Sequence, residues 1–370
     1  MVCSCTKDTL TKAEAGELAQ KAWTEARTRA MEELRPMWND SVIRCGEYAM
    51  PIDIRVYGDK PADGRSLYIS MHGGGNAPTE VNDQQWENQK RLYTPSEGVY
   101  IAPRAAVDDW NMWFRPHVDT LFARIILCAV SELDVNPDKV YVMGYSAGGD
   151  GAYRMAPRMA DYWAAASMMA GHPGEASPLN LRNIGFMVWM GENDAAYDRN
   201  SLAVGYGAMM DSLQAGDPEG YPHKTTIVPG CGHWMNRADT AAVEWMAHYV
   251  RQPYPKRVVW RQEPTCLRDC FYNIYVPREE MAEGKELRVD YEGNRISVLK
   301  SDYGTFTIYL NDNIVDLSKE VEVVLEGKPI FRGMVPRKEI HIRETAAKRL
   351  DPAYVFCSRI DVNGEQATAV

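Results

Sequence analysis

"KVYVMGYSAGGDGAYRMA" (139–156) is the stretch whose reading decides the fold. A short apolar run ends at a glycine, a serine stands between two glycines, and small residues lead into a helical pattern. Gly144-x-Ser146-x-Gly148 is the spacing of a nucleophile elbow, a sharp strand-to-helix turn that lifts a serine hydroxyl above the carboxyl edge of a sheet. Spacing alone is weak evidence in a chain with 28 glycines among 370 residues, so the flanking pattern has to carry the reading. A serine that merely caps a helix is the competing reading. The buried strand before it and the paired glycines favour the elbow.

Outward from this stretch the rhythm is regular. "SLYISMHGGG" (66–75), "GVYIAPR" (98–104), "AAASMMAG" (164–171), "GFMVWMGEND" (185–194) and "KTTIVPGCGH" (224–233) are short apolar runs, most of them closed by or next to Gly or Pro. Helical patterns at 118–133, 147–159, 201–215 and 238–250 separate most of them. Continuous apolar strands alternating with helices predict a mostly parallel sheet covered on both faces, an α/β class. Before it, 11–34 carries small and apolar residues at helical spacing. Thr11 with Glu14 forms a capping box there, which predicts one amphipathic helix.

After Pro253 and Pro255 the texture changes. Segments such as "KELRVDYEGNRISVL" alternate apolar with polar residues and carry the turns Glu292-Gly-Asn and Glu326-Gly-Lys. These read as antiparallel hairpins, interrupted by a helical insert at 337–349. The division expected is a leader and helix over 1–40, an α/β catalytic domain over 41–253, and an antiparallel β-sandwich-like accessory domain over 256–370.

Hydrophobic content of 45% and charged content of 25% are those of a globular protein with a full core. A formal charge of −10 without a long basic run argues against nucleic acid as a partner. No run of 18 apolar residues is present, so no membrane span is expected. "MVCSCTKDTL" (1–10) looks like a chain that begins just after a removed export signal, with a lipid anchor at Cys3 or Cys5. That points to a periplasmic or cell-surface lipoprotein of a bacterium, with an ordinary cytoplasmic start as the alternative. Eight cysteines leave disulfide connectivity open, and Cys266-x-x-x-Cys270 has no second pair for zinc. Neither metal nor cofactor is expected.

Serine is a poor nucleophile at neutral pH and needs an imidazole to take its proton and a carboxylate to orient that imidazole. Asp194 closes "GEND" (191–194) and His233 closes "PGCGH" (229–233), so serine, acid and histidine follow in order, each at a strand end. Glu192 and Asp198 compete with Asp194 from the same loop. An oxyanion hole needs backbone N–H donors: Ala147, next to the nucleophile, is one candidate, and "HGGG" (72–75) supplies Gly74 or Gly75. His72 reads as a brace for that loop, with a direct substrate contact as the alternative. Asp150 falls in the first turn after the elbow, where it complements the helix dipole or faces the substrate. Trp110 and Trp113 in "DDWNMWFRPH" (108–117), with Trp86 and Trp234, are candidates for a substrate wall or for core packing.

With these residues in place the chain resembles the α/β-hydrolase superfamily, and more narrowly its polyhydroxybutyrate depolymerase-like and feruloyl-esterase-like branch, often called prolyl-oligopeptidase-like. The narrower likeness rests on "SMHGGGNAP", "WNMWFRPHVD", "VYVMGYSAGGDGAYRMAPRMAD", "MAGHP" and "GENDAAYDRN" and covers about 52–250. It implies a Ser146, Asp194, His233 triad acting without a cofactor on an ester or amide; the leading expectation is a carboxylic ester, such as an acyl or feruloyl group on plant polysaccharide or a small polyester. A serine peptidase of aminopeptidase type is the alternative, although about sixty residues before the core are too few for the propeller of true prolyl oligopeptidases. A third reading makes the β-rich half a glycan-binding or assembly module. The partner expected is a small-molecule or polysaccharide-linked ester.

Overall fold

The apolar runs between residues 42 and 228 become one eight-stranded sheet in the computed structural model, which describes residues 9–370. The strands are β1 (Val42–Cys45), β2 (Tyr48–Tyr57), β3 (Arg65–Met71), β4 (Gly98–Pro103), β5 (Val135–Tyr145), β6 (Ala165–Met169), β7 (Gly185–Gly191) and β8 (His223–Val228). Their spatial order is β1-β2-β4-β3-β5-β6-β7-β8. β2 runs antiparallel to β1 and β4, and every pairing from β4 to β8 is parallel. The central strands are buried along their whole length, which is why their sequences show no polar alternation.

Helices α1 (Lys12–Asn39), α2 (Thr79–Gln89), α3 (Pro116–Glu132), α4 (Ala147–Arg158), α5 (Arg199–Gly216) and α6 (Ala241–Met246) complete this part of the chain. Glu14 N–H donates to Thr11 Oγ1 at 3.3 Å and Thr11 N–H to Glu14 Oε2 at 2.8 Å, the reciprocal pair of a capping box. Helix α2 has no counterpart among the helices the sequence predicts, because "TEVNDQQWENQ" has no apolar period. Among the described residues no helix is long and apolar enough to cross a membrane. Cys3 and Cys5 lie outside the described residues, and the six described cysteines are free thiols.

The chain divides into two units. One comprises Glu33–Gln252 with Glu263–Cys266, and holds the eight-stranded sheet. The other comprises the residues up to Glu32 with Pro253–Gln262 and Leu267–Val370. This second unit has two five-stranded sheets. One is ordered Lys328–Gly333, Val321–Leu325, Arg295–Ser301, Glu286–Glu292, Arg257–Arg261. The other is ordered Cys270–Phe271, Ile274–Tyr275, Thr305–Leu310, Ser358–Asn363, Gln366–Ala369. The two glycine turns fall where the sequence places them, with Gly293 and Gly327 at positive φ. One pairing, Arg295–Val298 against Glu322–Leu325, is parallel rather than antiparallel. Trp260 stacks on Phe271 and Tyr303 in the core of this unit.

Candidate active site

The site is built where β5 gives way to α4. Ser146 sits at φ 59°, ψ −121°, a sparsely populated conformation for a residue with a side chain. What forces it is a close approach of backbones. A Cβ on Gly144 would lie 2.1 Å from Gly148 O, and a Cβ on Gly148 would lie 2.1 Å from Met71 O. Both glycines of the motif are therefore steric necessities, and the hydroxyl between them projects beyond the sheet. A mostly parallel sheet with this turn at its carboxyl edge is the arrangement of an α/β-hydrolase fold.

The loops after β7 and β8 are laced together. Asn193 N–H donates to Cys231 O at 2.8 Å, Glu192 N–H to Val228 O at 3.0 Å, and a Cβ on Gly191 would meet Gly232 O at 2.0 Å. This lacing brings the acid loop against the histidine loop. Asp194 Oδ2 lies 2.7 Å from His233 Nδ1, and His233 Nε2 lies 2.9 Å from Ser146 Oγ. The Asp194 side chain is 2% exposed and the His233 side chain 44%, so the carboxylate is sheltered while the imidazole faces solvent. Glu192 is used elsewhere, accepting from Gly230 N–H at 2.7 Å. Tyr145, which no motif in the sequence marks, donates its hydroxyl to His233 O at 2.6 Å and receives Met235 N–H at 3.2 Å, which pins the histidine loop to β5.

The His72–Gly75 loop is held from three sides. His72 is fully buried: its Nε2 accepts from Ala105 N–H at 3.1 Å, so its Nδ1 carries the proton donated to Gly73 O at 2.6 Å. Burial pushes its pKa down to about 4, which keeps it neutral in this bracing role. Trp113 donates its indole N–H to His72 O at 2.8 Å. Asn82 Oδ1 accepts from Gly75 N–H at 2.8 Å. That last bond corrects one expectation: the Gly75 amide is already used and is not an oxyanion donor here. Gly74 remains, beside Ala147 at the first turn of α4, where helical N–H groups have no partner within the helix.

Two cavities meet at Ser146. The larger, about 720 Å³, is lined by Gln84, Gln85, Tyr145, His233, Trp234 and Arg237 among others. The smaller, about 420 Å³, is lined by Trp110, Ala147, Asp150, Arg154, His172 and Arg199 among others. Only Gly74 and Ser146 belong to both. Trp110 and Trp234 are thus wall residues. Trp113 and Trp86 are not: Trp113 is fully buried under the loop, and Trp86 donates to Ala102 O at 2.9 Å with the Lys90 ammonium 3.6 Å from its ring centre. An aromatic in a loop can turn under it as readily as over it, and the sequence does not say which. Asp150 lines the smaller cavity, with Oδ1 accepting from His172 N–H at 2.6 Å. Sequence reasoning missed Arg154, although Ser146, Asp150 and Arg154 recur every four residues along one face of α4. Arg199 and Asn82 carry no comparable signal.

Among the described residues no group of three or more His, Cys, Asp or Glu side chains converges as a metal ion would require.

No protein-family model matches the chain. Over 129 residues it is 30% identical to a curated protein named "Putative esterase NocK" from Nocardia uniformis subsp. tsuyamanensis, a match covering 31% of this chain and 37% of that one. The chain therefore spans little more than a third of that relative's length. Among solved structures, a thermostable esterase aligns with a TM-score of 0.42 at 18% identity, over 57% of this chain and 62% of that one. FphF, a fluorophosphonate-binding serine hydrolase of Staphylococcus aureus, aligns at 0.40 and 13% identity, over 56% and 96%. At these scores no residue's role is carried across from them.

Proposed function

We propose that the protein is a serine hydrolase of carboxylic esters, with Ser146 as nucleophile, His233 as general base and acid, and Asp194 as the group that orients the imidazole. The observation that carries this reading is the continuous hydrogen-bonded line from Asp194 Oδ2 through His233 to Ser146 Oγ. His233 Nε2 takes the serine proton as Oγ attacks the ester carbonyl. The oxyanion is met by the N–H groups of Ala147 and Gly74, each such donor being worth about 3 to 4 kcal/mol of barrier. The same Nε2–H then protonates the departing alcohol oxygen. Water, deprotonated by His233 in turn, releases the acid from the acyl-serine.

The proton delivery assigns the two cavities. The alcohol oxygen has to lie within reach of His233, so the alcohol belongs in the larger cavity that His233 lines, and the acyl chain in the smaller one beyond Ala147. Gln84, Gln85, Asn88 and Arg91 beside the indole of Trp234 suit a hydroxyl-rich alcohol such as a sugar, as in an acylated or feruloylated polysaccharide. An aminopeptidase would place a substrate amine near Asp150, where Arg154 and Arg199 oppose it.

The test is Ser146→Ala assayed on a panel of acylated sugars and simple esters. Loss of kcat by roughly a millionfold is expected with an unchanged melting temperature. Retained ester hydrolysis in that variant would refute the assignment.

A further inference from the structure

The smaller cavity is unlike the rest of this acidic chain. Two guanidinium groups, Arg154 and Arg199, stand on its wall beside Ser146, in a protein whose formal charge is −10. Arg154 is 7% exposed, and its Nη1 is buried without a hydrogen-bond partner. Its seat is closely fitted. A Cβ on Gly174 would come within 2.2 Å of Arg154 Nη2, and Gly174 sits at φ +53°, so only glycine leaves the space. The Phe114 ring lies 5.4 Å from the Arg154 guanidinium carbon. Arg199 lies over the Tyr197 ring at 4.9 Å, and its Nε is likewise buried and unpartnered.

The negative groups nearby do not answer these donors within the cavity. Asp150 is the one carboxylate on its wall, and its Oδ1 is engaged by His172 N–H. Burial raises the Asp150 carboxyl above the usual carboxylate range. Burial lowers the Arg154 guanidinium below its usual value, and Glu263 and Glu175, which oppose that, do not line the cavity. A buried guanidinium N–H left without an acceptor is costly, and its planar fork matches a carboxylate in two-point contact.

We infer that the smaller cavity is an acyl subsite for a group that ends in an anion, most simply a carboxylate, so that the preferred substrates are half-esters of dicarboxylic acids. This rests on the ester-hydrolase reading above only for which side the acyl group takes. The anionic acyl terminus reaches Arg154 and Arg199 while the ester carbonyl sits at Ser146, and the alcohol points into the larger cavity. No atom of either arginine takes part in bond making; they select and position the chain.

The experiment compares monoethyl succinate, glutarate and adipate with the matching monoamides, in which carboxamide replaces carboxylate, followed by pH-stat titration at low and moderate salt. The half-ester is expected to exceed the amide in kcat/KM by about tenfold to a hundredfold at the best chain length, through KM, and to lose that advantage as salt rises. Arg199→Gln, at a half-buried position, and Arg154→Met are each expected to shrink the ratio about tenfold. Gly174→Ala is expected to act in the same direction by displacing Arg154. A ratio near one in the native enzyme, or one that neither arginine variant alters, overturns the inference while leaving ester hydrolysis intact. Calorimetry of the Ser146→Ala protein with monoethyl glutarate and its monoamide gives a readout independent of turnover. Selective binding of the half-ester without hydrolysis by the native protein would keep the anion subsite and refute the hydrolase reading instead.

Discussion

Asn82 is fully buried, and its amide is used on both sides. Oδ1 accepts from Gly75 N–H at 2.8 Å, while Nδ2 donates to Ala77 O at 3.0 Å and Pro78 O at 3.3 Å. It touches no substrate, yet it fixes the loop that presents Gly74. Asn82→Ala would leave the Gly75 amide without its acceptor, at a cost of about 1 to 3 kcal/mol in stability. We expect kcat to fall about tenfold to a hundredfold with KM little changed, and Asn82→Asp, which keeps the acceptor, to recover part of the loss. A change confined to KM would show that the loop does not act through the transition state. At this scale the sequence is informative where chemistry demands a residue type in a fixed order, as for Ser146, Asp194 and His233. It is silent where the role depends on which way a side chain turns. Nothing in "WNMWF" tells that Trp113 lies beneath the loop and Trp110 above it, and nothing in "TEVNDQQWENQ" tells that Asn82 reaches back to Gly75.

The strand-to-helix junction of β5 and α4 shows how an element can be specified by what it excludes. Gly148→Ala would press a methyl group into Met71 O, with backbone on both sides and no flexible neighbour to give way. We expect about 3 kcal/mol of destabilisation or more, or failure to fold, seen in the urea midpoint. Gly205 is a control of the opposite kind, lying inside α5 with nothing within 4 Å of where a Cβ would stand. Gly205→Ala is expected to stabilise by about 0.5 to 1 kcal/mol through helix propensity. The same contrast explains what is readable among the elements. Apolar runs bounded by glycine announce buried strands, whereas α2 is a polar helix lacking the period that would reveal it. That the residues up to Glu32 cluster with the C-terminal unit is likewise hidden, since an amphipathic stripe names no partner.

Across the whole molecule three histidines, His72, His117 and His341, are buried, and burial lowers the pKa of each. The unfolded chain binds a proton at each of these near pH 6.5 while the folded chain refuses it, so stability present above that pH is lost as pH falls toward the folded values. For His72, held down to about 4, the loss amounts to about 3 kcal/mol by pH 4. Asp150 and Asp239, whose carboxyls burial raises, work in the opposite sense and offset part of it. We expect the urea midpoint to fall between pH 7 and pH 5, with the His72 ring resonances showing no titration above pH 5. A midpoint unchanged over that interval would contradict the neutral, bracing state of His72.

The two hollows that meet at Ser146 have a consequence for how this protein can change. One is walled mainly by α2 and the turn after β8, the other by α4 and the turns after β4, β6 and β7; the loop after β3 borders both, and only Gly74 and Ser146 line the two in common. On the proposed ester-hydrolase reading, recognition of the two halves of a substrate falls largely to separate stretches of chain, so that away from the shared loop after β3 alterations in one stretch are expected to leave the preference set by the other intact, their energetic effects summing. A lineage carrying this scaffold is free to exchange one taste while keeping the second.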